Sequence, residues 1–181
     1  MRVKQMTAVA LGAVLIIICS WLTVPFAVPF TMQTFAVFTV LILLGGKLGT
    51  ASIGLFVFMG LVGLPVFSGF KGGVGVLLGP TGGYIVGFVF AGLLYMLIEP
   101  AANKNKWIKA AVLAGGLALC YAVGTIWFLV VARRGGTDYG AGKVIAICVL
   151  PYILPDLAKL WLAMFAGERL KGKLRLPWTE G

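Results

Sequence analysis

Six apolar runs, separated by breaks rich in proline, glycine or charge, organise this chain. They lie at about 6–24, 31–48, 50–64, 82–98, 110–131 and 143–166. A helix needs ~20 apolar residues to cross a bilayer, so each run is a candidate span. The third is short and either tilts little or continues past Pro65. Arg2 and Lys4 precede the first run, a flank that also suits a signal peptide. Ile18 stands where a lipoprotein cleavage site at Cys19 needs a small residue, and no A-x-A site follows, so the run reads as a retained helix. Pro25 and Pro29 then break the chain, because proline lacks an amide hydrogen and clashes with the preceding turn. Gly45-Gly46-Lys47-Leu48-Gly49 predicts a short turn, residues 65–81 a glycine-dense loop, and Glu99 to Lys109 the most polar loop.

Composition strengthens the pattern. Of 181 residues, 61% are hydrophobic and 11% charged, against roughly 45–50% and ~25% in soluble domains. Mean hydropathy is +1.06. These values exclude a disordered chain, a soluble enzyme and a disulfide scaffold. The expected fold is an all-α integral membrane protein, one transmembrane domain over 1–181 with six helices. No internal repeat is visible, which argues against a self-contained inverted-repeat transporter.

The net charge of +10 would suggest nucleic acid in a soluble protein. Here it sorts by side. Six spans give one side Arg2, Lys4, Lys47, Lys104, Lys106, Lys109, Arg169, Lys171, Lys173 and Arg175. The other side receives Lys71, Arg133, Arg134 and Lys143, and only Lys159 falls inside a span. Basic residues favour the cytoplasmic side, so both termini are expected there. Five or seven spans would scatter the charges.

Candidate chemistry is sparse. The chain has no histidine, which excludes histidine bases and His-ligated metals. Cys19, Cys120 and Cys148 lie in apolar runs without a CxxC pair and read as small hydrophobes. No metal or cofactor is expected. Asp156 and Lys159 are the two ionisable residues deep in a span. Each costs about 2.5–3.5 kcal/mol at a helix centre, so such residues mark function by default. At i and i+3 they share a face and can neutralise each other. The plainer alternative is an internal ion pair. As a site, they suit a ligand with N–H beside C=O, or one whose carboxylate meets Lys159. Pro155 is expected at the start of a turn, leaving carbonyls free.

Three further features stand out. Gly69 to Tyr84 contains Gly72, Gly73, Thr81, Gly82 and Gly83. It is neither a P-loop nor a dinucleotide fingerprint, so this chain binds ATP by neither. It reads as a loop and close packing face, or as irregular backbone lining a cavity. Residues 25–35 read as an interfacial loop, or as a lid in which Gln33 and Thr34 offer neutral hydrogen bonds. Tyr84, Tyr121 and Trp127 could supply aromatic walls. Ala8-x-x-x-Gly12 makes a small-residue groove for another helix.

Together these segments resemble the BioY family, biotin-specific substrate-binding (S) components of energy-coupling factor (ECF) transporters. The residues that carry the resemblance are Val28 to Phe35, Gly63-Leu64-Pro65-Val66-Phe67, Leu78-Gly79-Pro80-Thr81-Gly82-Gly83-Tyr84, and Pro155-Asp156-Leu157-Ala158-Lys159. Pro155 departs from the glycine common before the Asp in relatives. The resemblance implies a six-helix subunit that takes biotin from outside. A membrane coupling subunit and two ATPase subunits would drive it, with Ala8 and Gly12 as the docking groove. Asp156 would accept from ureido N–H groups. Lys159 would donate to the ureido carbonyl or pair with the carboxylate. Gln33, Thr34 and the glycine backbone would complete the polar shell, and Phe35, Tyr84 and Tyr121 would pack on the bicycle. The alternatives are an S component for another vitamin and a solitary oligomeric biotin transporter. An intramembrane enzyme would need a nucleophile or metal set that one Asp and scattered Cys do not supply.

Overall fold

The computed structural model describes residues 3–25, 28–137 and 139–173. Of the sorted charges, Arg2, Arg175 and the side chain of Lys173 lie outside the described residues, as do Phe26 and Ala27 of the first loop. The elements are α1 (Val3–Trp21), β1 (Thr23–Val24), β2 (Phe30–Thr31), α2 (Gln33–Leu61), α3 (Val74–Leu78), α4 (Gly82–Ala102), α5 (Lys106–Arg134), α6 (Ala141–Cys148) and α7 (Leu150–Lys173). The two short strands pair antiparallel, Thr23 with Thr31 and Val24 with Phe30. Four helices, α1, α2, α4 and α5, are each long and apolar enough to cross a membrane. The bent pair of α6 and α7, at 41°, adds a fifth if it counts as one span.

The helix breaks have local causes. Inside α2, Gly45 leaves helical geometry at φ 79° and ψ 170°, a left-handed value that glycine adopts without a Cβ penalty. The chain folds back there. A Cβ built on Gly49 would lie only 2.9 Å from the Cα of Leu41, whereas eight residues of continuous helix rise about 12 Å. Thus 33–44 and 46–61 are two arms of a hairpin. The α6–α7 bend falls at Val149, two residues before Pro151, whose missing amide cannot continue the ladder of α6. The expected polar loop from Glu99 to Lys109 is almost entirely helical: α4 runs through Pro100 to Ala102, and α5 starts at Lys106. Asn105 caps α5 by accepting from the Trp107 amide at 2.8 Å.

The 33–44 arm forms the centre. Ala36, Val37, Phe38, Val40, Leu41 and Ile42 are all essentially inaccessible. Around it, α2 packs on α1, α4 and α7, and α4 packs on α5. Glycine sets the α4–α5 approach. A Cβ on Gly124 would meet the Tyr84 ring at 2.2 Å, and one on Gly83 would meet Cβ of Trp127 at 2.2 Å. Contacts sort the helix ends into two groups. At one end, Gly46 meets Glu99 and Lys109 meets Glu168. At the other, Trp21 donates to the Pro65 carbonyl at 2.9 Å and Trp127 to the Gly79 carbonyl at 2.9 Å. Residues 22–25 and 28–32 and the segment 62–81, which contains α3, gather at this second end.

Candidate functional site

Helical spacing alone brings Asp156 and Lys159 onto one face of α7, with Lys159 Nζ 2.8 Å from Asp156 Oδ1. Pro155 lies inside α7 and does not open it. The expectation of a helix start there is therefore corrected: the helix has already begun at Leu150, before the Pro151 and Pro155 rings. Tyr121, from α5, donates its hydroxyl to Asp156 Oδ2 at 2.6 Å. Lys159 also donates to the Thr31 carbonyl at 2.7 Å, and its ammonium stands 3.7 Å from the centroid of the Phe30 ring. One turn earlier on α7, Tyr152 donates to the Val28 carbonyl. A buried ion pair must offset its desolvation with further hydrogen bonds. Here those bonds also hold the loop before α2 against α7.

The pair borders a cavity of about 340 Å³, within the range of small-molecule sites, roughly 300–1,000 Å³. Among the anticipated residues, Asp156, Lys159, Gln33, Thr34, Thr81, Tyr84 and Tyr121 all line it. They come from α7, α2, the loop before α4, α4 and α5. Apolar side chains such as Phe67, Ile85, Phe88 and Leu117 form the rest of the wall. Gln33 is buried, and its Nε2 meets no hydrogen-bond partner among the described residues. A buried unpaired amide costs about 1–3 kcal/mol, so this donor fits a ligand acceptor.

Other anticipated residues do not reach the cavity. Phe35 points into the packing around the core. Gly72, Gly73, Gly82 and Gly83 are absent from the lining. Three of them serve close approaches: a Cβ on Gly72 would strike the Leu64 carbonyl, one on Gly82 the Leu77 carbonyl, and one on Gly83 the Trp127 side chain. Trp127 fixes the glycine-rich loop through its indole N–H. The groove at Ala8 and Gly12 is filled by the chain itself. Both residues are buried, and a Cβ on Gly12 would lie 2.6 Å from Ser52 Oγ on α2. Small residues allow a close approach, and here the neighbour is intramolecular.

Sequence reasoning missed several lining residues. Phe88 stands four residues after Tyr84, Leu117 four before Tyr121, and Tyr152 four before Asp156. Helical periodicity around the chosen residues would have found these three. Thr31, Phe67, Ser68 and Lys71 carried no such signal. Lys109, counted as a loop charge, is buried and paired with Glu168. No group of three His, Cys, Asp or Glu side chains suited to a metal occurs among the described residues.

The whole arrangement has relatives. The chain is 36% identical over 171 residues to Biotin transporter BioY of Thermotoga maritima, covering 93% of this chain and 96% of that one. It is 36% identical over 173 residues to Probable biotin transporter BioY of Pyrococcus horikoshii, covering 95% and 99%. A crystal structure of the S-component for biotin from an ECF-type ABC transporter superposes with a TM-score of 0.82 at 28% identity, covering 94% of this chain and 92% of that one. The BioY family model matches residues 1–175. The chain therefore belongs to the BioY family.

Proposed function

We propose that this protein captures biotin and carries it across the membrane as the substrate-specific S component of an ECF transporter. The observation that carries the proposal is the buried Asp156–Lys159 pair, bonded to the half-buried Tyr121 and facing a cavity of small-molecule size. Biotin offers ureido N–H donors, a ureido carbonyl, an apolar bicycle and a carboxylate. Asp156 accepts from the ureido N–H groups, and Gln33, Thr34 and Thr81 complete the polar shell. Tyr84 and Tyr121 pack on the bicycle with Phe67, Phe88 and Leu117. The names of the relatives support the same ligand.

The protein is a transporter subunit, not an enzyme, and no resident cofactor enters the cycle. A membrane coupling subunit and two ATPase subunits supply the energy. Six segments cross the bilayer: α1, the arms 33–44 and 46–61, α4, α5, and α6 with α7. The start of α1 and the end of α7 then share the side of Lys47, Lys104, Lys106 and Arg169, which supports cytoplasmic termini. The cavity end faces outside a bacterial plasma membrane.

Isothermal titration of the purified chain with biotin, thiamine and riboflavin tests the proposal. Tight one-to-one binding of biotin alone is expected. Binding of another vitamin in its place, or of none, rejects it.

A further inference from the structure

The cavity is bordered by one carboxylate and two lysines. Asp156 and Lys159 neutralise each other, and the Lys159 ammonium is committed to Asp156 Oδ1, the Thr31 carbonyl and the Phe30 ring. An ammonium has three donors, so little of Lys159 is free for a ligand anion. Lys71 is different. It lines the cavity, is solvent-exposed, and its ammonium makes no hydrogen bond or ion pair to a described residue. The cavity therefore carries one uncompensated positive charge, placed where wall meets water.

The backbone holds Lys71 there. Phe67 and Lys71 form an antiparallel bridge, the Phe67 amide donating to the Lys71 carbonyl at 2.9 Å. The turn between them passes through left-handed φ at Gly69 (70°) and Phe70 (57°). An aromatic residue rarely adopts that conformation, and it persists only where neighbours enforce it. The Phe70 ring lies against Trp21 at 4.9 Å between centroids, and Ser68 Oγ lies 2.9 Å from Thr23 Oγ1 in a hydrogen bond. The hairpin is thus pinned to the end of α1 and to β1.

We infer that Lys71 recognises the carboxylate of the ligand, leaving Asp156, Tyr121, Lys159 and Gln33 to its ureido end. Lys71 has this role only if the ligand is biotin, as proposed. Biotin and its methyl ester, which keeps the bicycle and loses the charge, separate the two ends. Both are titrated into the purified full chain by calorimetry. Wild type prefers the acid by about tenfold, the size of one charge-assisted contact. Lys71→Met lowers the affinity for the acid to that for the ester and leaves the ester unchanged, while Lys71→Arg keeps the preference. The preference shrinks in about 1 M salt, as expected for an exposed pair. Equal weakening of both compounds by Lys71→Met would reduce Lys71 to a support of the loop and overturn the assignment. An undiminished preference in that variant overturns it as well. Failure of wild type to bind either compound instead removes biotin as the ligand, and the role of Lys71 with it.

Discussion

Lys159 and Lys109 are almost equally buried, at 6% and 7% exposure, yet they stand at opposite ends of the bundle and serve different purposes. Their carboxylate partners, Asp156 and Glu168, are twelve residues apart on α7, about 18 Å along the axis. Asp156 is buried, takes a second hydrogen bond from Tyr121, and borders the cavity. The Glu168 side chain is half exposed, and neither it nor Lys109 lines the cavity. Nearby, Glu99 accepts from the Gly46 amide at 2.9 Å and so caps the second arm of the α2 hairpin. Charges at that end staple helices together and keep contact with water. At the other end Asp156 and Lys159 are dry and border the cavity. Burial of a charge does not by itself mark a site; a buried charge beside a cavity does.

The contrast can be broken by substitution. Asp156→Asn leaves Lys159 buried without a counter-charge and replaces the carboxylate with a neutral amide, a weaker acceptor for ureido N–H groups. Biotin affinity measured by calorimetry should fall by about a hundredfold or more. A value near wild type would erase the difference between the two ends. Tyr121→Phe removes one hydrogen bond to a carboxylate, worth about 1.5–3 kcal/mol, and should weaken biotin by about tenfold or more alongside a lower Tm. A large loss of thermal stability with unchanged affinity would assign Tyr121 to structure instead. Glu168→Gln should act on stability alone. It leaves Lys109 without its charge partner, lowering stability by about 1–3 kcal/mol because Glu168 is partly solvated. Biotin affinity should stay within about twofold, since distant sites act independently. Thermal unfolding and titration of the same preparation would expose any coupling. The smallest effect is expected for Trp127→Phe, which loses the indole N–H bond to Gly79 and should cost about 0.5–1.5 kcal/mol in an unfolding curve.

Much of the fold was legible because its signals are local. Runs of apolar residues and Gly45 at the hairpin each act within a few residues, whereas the α6–α7 bend at Val149 falls inside the run read as one span over 143–166. The polar core of the site was legible too, as Asp156 and Lys159 sit one helical turn apart in an otherwise apolar run. The glycines misled, since a residue without a side chain signals close approach but not what approaches. Gly83 meets Trp127 and Gly12 meets Ser52 where a ligand and a partner helix were expected. Lys109 misled in the opposite sense. Its position next to a polar stretch suggested solvent, and only the packing of α7 against α5 buries it.

By itself, the sequence determined that the chain is built largely from membrane-length apolar helices and that Asp156 and Lys159 lie one helical turn apart in an apolar run. Those properties depend on composition and on the 3.6-residue period. Only the tertiary structure decided which faces of those helices meet. It brought Tyr121 to Asp156, Thr31 to Lys159 and Lys71 to the rim of the cavity, and it closed the Ala8–Gly12 groove. The physical reason is that the central helices are apolar nearly all round, so no stripe along the sequence specifies a partner; shape and close packing do.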